Sequence, residues 1–257
     1  QYYRSDIISA IKAARQESDP RRRDITPSVL DLGRVRFKIA RHFGFCFGVQ
    51  NAIEIAYRAL LENPEKRVYL LSEMIHNPHV NRDLQSRGVR FLMSTYGEEL
   101  IPLEQLKPED IVIVPAFGTS VQTMQRLRDL GITPEQYDTT CPFVEKVWKK
   151  SKQLGSKGYT IIVHGKHVHE ETRATFSHAS TAAPTLVIRD MEEARLLAQY
   201  IRTERETDDF YREFAGRFSK NFDVERDLQR IGVVNQTTML AAETKEIAAF
   251  LRNAVQA

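Results

Sequence analysis

Two periodicities alternate along this chain, and that alternation limits what it can fold into. Five short apolar runs rich in β-branched residues, at 68–71, 111–114, 160–163, 186–188 and 231–234, are separated by longer segments whose apolar residues recur at helical spacing. Uninterrupted apolar runs of this length suit strands buried on both faces of a parallel sheet, because the crossover helices cover both sides. The segments 80–87, 121–129, 142–154, 191–201 and 241–252 read as helices, as does 49–62 through Ala52, Ile53, Ala56, Ala59 and Leu60. Residues 36–40 suit a further strand. The expected class is α/β with mostly parallel sheets.

Two stretches break the pattern. Residues 1–35 are polar, with Arg21, Arg22 and Arg23 between Pro20 and Pro27. Ile7, Ile8 and Ile11 fit one amphipathic helix there, and the rest reads as a linker or a surface extension. Residues 203–230 mix charge with aromatics, from Asp208, Asp209, Phe210 and Tyr211 to Phe222 and Asp223. They read as an insertion with helical character, packed on one side and outside the central sheet. A weak repeat accompanies the alternation: Cys46 and Cys141, 95 residues apart, each lie between a strand-like segment and a helix start. The division expected is an N-terminal extension over 1–35, a first α/β domain over 36–140, and a second over 141–257 that carries the insertion.

Charge narrows the partners. The 37 basic and 34 acidic residues leave a net charge of +3, too balanced for a nucleic-acid protein but compatible with a local basic pocket for an anionic small molecule. No apolar run approaches the ~20 residues of a membrane span and no secretory leader opens the chain, so the expectation is a soluble, intracellular protein. The chain starts at Gln1 and not at methionine, which reads as a processing or expression boundary that a targeting peptide could have preceded.

The chemistry-bearing residues cluster where the strand-like runs end. Two cysteines without a C-x-x-C spacing do not form a disulfide framework; they are either small buried hydrophobes or helix-start thiols whose thiolate the helix macrodipole favours. Cysteines from two repeated units would meet if the units packed about a pseudo-symmetry axis, and such a pair could hold a metal cluster. The segment His164-Gly165-Lys166-His167-Val168-His169-Glu170-Glu171-Thr172 follows a strand directly, where ligands bind in open α/β sheets. Its histidines and glutamates suit zinc ligands, an acid/base set or an anion grip, although they do not form H-E-x-x-H. His76-Asn77-Pro78-His79 occupies the corresponding place after 68–71. Pro115-Ala116-Phe117-Gly118-Thr119-Ser120 and Asn235-Gln236-Thr237-Thr238 also put hydroxyls and N–H groups at strand ends, as helix caps or as anion contacts.

Taken in order, Gly44-Phe45-Cys46-Phe47-Gly48-Val49, Glu73-Met74-Ile75-His76-Asn77, Pro115-Ala116-Phe117-Gly118, Asp138-Thr139-Thr140-Cys141-Pro142, His169-Glu170-Glu171-Thr172 and Asn235-Gln236-Thr237-Thr238 resemble the 4-hydroxy-3-methylbut-2-enyl diphosphate reductases. The likeness is to the longer, cyanobacterial and plastid form and runs from about Arg36 to the last residue. The resemblance implies a trefoil of three small α/β domains around a central cavity that holds a [4Fe-4S] cluster. It implies Cys46 and Cys141 as cluster ligands, and His76 and His169 as diphosphate-binding histidines. Glu171 is implied as the acid that feeds protons to the substrate hydroxyl, with Thr237 in the same relay and Thr238 beside it on the substrate. The implied reaction reductively removes an allylic hydroxyl to give isopentenyl and dimethylallyl diphosphate. Electrons would come from a donor such as ferredoxin or flavodoxin. The implied location is the cytoplasm, or the plastid stroma in a photosynthetic eukaryote.

Two departures from the family pattern follow. Phe117 stands where the short form has a histidine, as it does in the longer form. The third cysteine, and a serine/asparagine group for the diphosphate, belong to a C-terminal third of the fold that this chain is expected to lack. The repeat agrees: one more interval, allowing for the insertion, reaches roughly residue 262, past Ala257. A fragment inactive alone is therefore expected. The competing reading is a binding or regulatory module that kept the fold and anion pocket without a cluster.

Overall fold

The computed structural model describes residues 5–21 and 23–256, so Arg22 of the basic cluster lies outside the described residues. By compactness the chain divides into two units, Gln1–Gln50 and Asn51–Ala257.

In the first unit, α1 (Asp6–Ser18) starts at Ser5, whose hydroxyl accepts from the Ile8 N–H at 3.5 Å. None of its residues is buried. Arg15 ties its far end to Asp24 at 2.9 Å and to the Thr26 carbonyl at 2.8 Å. Residues 28–31, expected within a polar linker, instead form β1 (Ser28–Asp31), paired antiparallel with β2 (Arg36–Ile39). The sequence hides this strand because Val29 and Leu30 are its only strand-forming apolar residues.

The second unit opens with the body of α2 (Phe47–Glu62), which buries Ala52, Ile53, Ala56, Tyr57 and Ala59. Two three-stranded parallel sheets follow. The first, ordered β4-β3-β5, contains β3 (Val68–Leu70), β4 (Arg90–Phe91) and β5 (Ile111–Ile113), with α3 (Pro78–Ser86) between β3 and β4. Its core gathers Tyr69, Leu71, Val112 and Val114 against Leu92, Leu103 and Leu127, the last from α4 (Val121–Asp129).

The second sheet, ordered β7-β6-β8, contains β6 (Thr160–His164), β7 (Thr185–Ile188) and β8 (Ile231–Asn235). Strand alternation sends Ile161 and Val163 to one face, against α5 (Pro142–Gly155) and α6 (Glu170–Ser180). Ile162, Leu186 and Ile188 point to the other, against α7 (Met191–Ile201) and α10 (Ala241–Gln256). Both faces are covered, which is why these strands read as continuous apolar runs.

The 203–230 segment forms two short helices, α8 (Thr207–Glu213) and α9 (Val224–Asp227). Phe210, Phe214 and Phe222 are buried in the same core as Ile162 and Leu186. The segment also reaches the edge of β7: the Ser219 N–H donates to the Thr185 carbonyl and the Val187 N–H to the Arg217 carbonyl, both at 2.8 Å. It therefore covers the open edge of that sheet.

Among the described residues, α6 is a long helix whose sequence lacks an apolar stripe. Glu170, Glu171, Thr172, Ala174, Thr175, Ser177 and Ala179 are all buried, so small and hydroxylated residues stand where periodicity analysis looks for leucine. No helix among the described residues is long and apolar enough to cross a membrane.

Candidate functional site

Strand ends in the second unit deliver the site residues. After β3 the chain is pinned by Asn81, which accepts from the Met74 N–H at 3.1 Å and donates to the Ile75 carbonyl at 2.9 Å. Asn77 then caps α3, accepting from the N–H groups of His79 and Val80. Between these two anchors His76 projects outward, 48% exposed, with its Nε2 3.1 Å from the Nε2 of His169. The β5 turn brings Phe117 against both rings, with centroids 4.5 Å from His76 and 5.5 Å from His169. The position that departs from the short form thus packs on the two histidines.

His169 caps α6, its Nδ1 accepting from the Glu171 N–H at 3.1 Å. Burial, then the charges of His76, Lys166 and Arg173, lower its pKa to about 4. Glu171 is buried and turns to the end of β8, where the Thr237 backbone N–H donates to Oε1 and the Thr237 hydroxyl to Oε2 at 2.9 Å. Burial raises this carboxyl, while the two Thr237 bonds oppose the rise. Thr238 is exposed and accepts from Gln236 Nε2 at 2.6 Å. The buried Gln236 also accepts from the Thr172 hydroxyl at 3.0 Å and from the Lys166 N–H at 3.2 Å, which ties the β6 and β8 loops together.

The cysteines hold a different kind of position. Cys141 is the N-cap of α5, partly exposed, with Pro142 at the first helical position and no side-chain capping bond. Its N–H donates to the Ala116 carbonyl at 2.9 Å, which fixes its backbone to the Phe117 turn. Cys46, in the first unit, immediately precedes α2 and its carbonyl accepts from the Gln50 N–H at 2.9 Å. It is an exposed free thiol lining a recess of about 900 Å³ with Lys12, Arg41 and Phe43. Free thiols at two helix starts are the donor chemistry that iron–sulfur clusters take.

Sequence reasoning took Glu170 with Glu171 as part of one candidate set and missed that the two glutamates turn to different loops. Glu170 turns towards the first sheet, where the Ser72 hydroxyl donates to its Oε2, and its Oε1 has no partner. Burial pushes its pKa up to about 7, against the Ser72 bond and the Arg173 charge. It lines a cleft of about 310 Å³ with Ser72, Gly118, Thr123 and Arg173. The adjacent pair of glutamates was the available signal. Trp148 was missed as well: it stacks on His178 at 3.6 Å, and His178 Nε2 lies 3.1 Å from the Thr119 carbonyl, so the two rings brace the Phe117 turn.

The zinc alternative for His164, His167 and His169 finds no support in the geometry. His164 is buried with its Nδ1 2.8 Å from the Thr244 hydroxyl, and among the described residues no group of three or more His, Cys, Asp or Glu side chains is placed to hold a metal.

Comparison with known proteins gives a consistent answer. The family model described as LytB protein matches residues 37–257. A 4-hydroxy-3-methylbut-2-enyl diphosphate reductase of Prochlorococcus marinus (strain MIT 9211) is 42% identical over 219 residues, covering 85% of this chain and 52% of the relative. The protein of that name from Synechococcus sp. (strain RCC307) is 41% identical over 247 residues, covering 96% of this chain and 56% of the relative. The chain thus spans about half the length of these curated relatives. A solved (E)-4-hydroxy-3-methyl-but-2-enyl diphosphate reductase superposes with a TM-score of 0.58 at 25% identity, covering 83% of this chain and 62% of that one. A Plasmodium falciparum diphosphate reductase structure, at 22% identity and TM-score 0.58, shares the fold.

Proposed function

The chain belongs to the LytB protein family, and on that premise we propose that it supplies two of the cluster thiolates and most of the proton-handling residues of a 4-hydroxy-3-methylbut-2-enyl diphosphate reductase. The observation that carries the proposal is the union of two histidines, a buried carboxyl and a threonine at neighbouring strand ends, each pair drawn from distant parts of the sequence. The reaction breaks the allylic C–O bond, consumes two electrons and two protons, and releases the hydroxyl oxygen as water.

Cys46 and Cys141 would hold a [4Fe-4S] cluster together with a thiolate from elsewhere in the complete protein. Such a cluster would supply electron transfer and Lewis acidity to the site. The protein's own residues do the rest. His76 and His169 bind the diphosphate through their ring nitrogens, and Lys166 beside them adds positive charge. Glu171 holds the proton for the departing hydroxyl, because burial keeps that carboxyl protonated to higher pH than an exposed one. Thr237 fixes the carboxyl with two donors and offers its hydroxyl as the next link towards substrate. Phe117, packed on both histidines, excludes water from one side of the anion site.

The test is anaerobic reconstitution of the complete protein with iron and sulfide. The expected result is a broad absorbance near ~400 nm from thiolate-to-iron charge transfer, lost in Cys46→Ser and Cys141→Ser. Glu171→Gln should keep that absorbance and lose turnover. A colourless preparation, or full turnover by Glu171→Gln, removes the reading.

A further inference from the structure

Charge is distributed unevenly along this chain. The first unit, Gln1–Gln50, holds 10 basic and 5 acidic residues, a net +5, whereas the rest of the chain holds 27 and 29, a net −2. Three of the five carboxylates in the first unit are already matched: Asp19 by Arg41 at 3.4 Å, Asp24 by Arg15 at 2.9 Å and Asp31 by Arg36 at 2.7 Å. Lys12 is engaged by the Phe43 carbonyl at 3.3 Å and by the Phe43 ring. Arg21, Arg23, Arg34 and Lys38 are exposed, and their side chains have no partner among the described residues.

The β1–β2 hairpin gathers part of this excess on one face. The register sets Val29 opposite Lys38 and Asp31 opposite Arg36, and residues two apart share a face, so Arg36 and Lys38 lie side by side with Val29 and Asp31. Arg36 is 72% exposed and Val29 58%. Arg34 stands in the turn, which is held by the Gly33 N–H to Asp31 Oδ1 and the Leu32 N–H to the Val35 carbonyl, both at 2.9 Å. Leu32 and Val35 at this turn are each more than half exposed. Cations interspersed with uncovered apolar side chains, on a two-stranded sheet that is marginal in water by itself, make a face suited to another protein.

We propose that this hairpin face docks an acidic electron-carrier protein. The inference rests on the reading of the chain as part of a reductase and adds the class of partner and where it binds. The reaction consumes two electrons, while the histidines, Glu171 and Thr237 handle only protons and anions, so a reduced partner must supply the electrons. Cys46, the exposed thiol read as a cluster ligand, belongs to the same basic unit. Two one-electron carriers are oxidised per C–O bond broken, as two protons are taken up and water leaves, so each carrier must bind and depart within a turnover. Exposed charges suit such an exchange because they speed association more than they prolong the complex. Nucleic acid fits less well, since Asp31 interrupts the row of cations on this face.

The experiment titrates an acidic plant-type [2Fe–2S] ferredoxin into the complete protein and reads Kd against salt for wild type and for Arg34→Glu/Lys38→Glu. The expected result is a Kd weakened about tenfold or more at low ionic strength, with the difference closing towards ~0.5 M salt as the charges are screened. The KM for ferredoxin should rise in parallel, while turnover with reduced methyl viologen, a small donor that needs no docking face, stays at the wild-type level. Arg34→Gln/Lys38→Gln, which removes charge without reversing it, should fall between the two and decides the matter if the reversed pair does not fold. An unchanged ferredoxin Kd in the charge variants overturns the inference, as does wild type that turns over methyl viologen but does not bind ferredoxin. Weakened binding of an RNA oligonucleotide with ferredoxin Kd unchanged overturns it in favour of a nucleic-acid face. An equal loss of turnover with both donors overturns it as well, because the face then serves the fold. Wild type inactive with methyl viologen overturns the reductase reading and this inference together.

Discussion

Glu171 and Thr237 meet from elements 66 residues apart, through the Thr237 backbone N–H to Oε1 and its hydroxyl to Oε2. A buried carboxyl thus has both oxygens satisfied by one residue on a strand-end loop. Removing only the hydroxyl, in Thr237→Val, leaves Oε2 buried without that donor and should destabilise the fold by ~1–2 kcal/mol in urea denaturation. Thr237→Ser keeps the donor and should stay within about 0.5 kcal/mol of wild type. Equal stability of the two variants would show that the hydroxyl bond contributes nothing.

Glu170 carries the opposite balance, with one oxygen unpaired. Its pKa is about 7 in the fold against an ordinary 4.5, so between these values the folded state holds the extra proton. Stability contributed at this site therefore falls as pH rises from about 4.5 to about 7, and the cost is fully present above that. Glu170→Gln removes the ionisation. It should be more stable than wild type at pH ~8 by up to ~3 kcal/mol, with most of the gap gone by pH ~5, as read from denaturation midpoints. A gap that does not change with pH would contradict this account.

Gly118 sits at φ +73°, and a Cβ there would run into the Trp148 ring. Gly118→Ala should cost ~2–4 kcal/mol, combining left-handed backbone strain with overpacking. Because Trp148 braces the turn that carries Phe117, the same variant should weaken pyrophosphate binding. A thermal melt unchanged from wild type would mean that the turn yields freely.

Phe210 is fully buried and stacks on Phe222 at 5.5 Å. Phe210→Ala should destabilise by ~3–5 kcal/mol, and Phe210→Leu by distinctly less. If the two variants melt together, the insertion does not belong to the core of the β6–β8 sheet.

Much of the fold was legible in the sequence. The helices at 121–129 and 191–201 were expected with the observed bounds, and all five apolar runs became strands. Their signal is strong because burial on both sheet faces excludes polar residues. β1, β4 and α6 were not legible. β1 is partly exposed, β4 has two residues, and α6 is wrapped by neighbours that small hydroxylated side chains can approach closely. The strand-end positions of His76, His169 and Thr237 were legible, since each lies in a loop after β3, β6 or β8.

Their pairing was not legible. Nothing in the order of residues says that His76 faces His169, or that Glu171 turns to Thr237 while Glu170 turns to Ser72. Consecutive residues on a helix point about 100° apart, so two identical neighbours serve different sheets once α6 is fixed between them. The sequence by itself determined the α/β alternation and the kinds of side chain at the strand ends, because those depend on local periodicity and burial. Which histidines face each other, and which carboxyl is paired with which loop, was decided only by tertiary structure, because hydrogen bonding and desolvation act between groups that the chain places far apart.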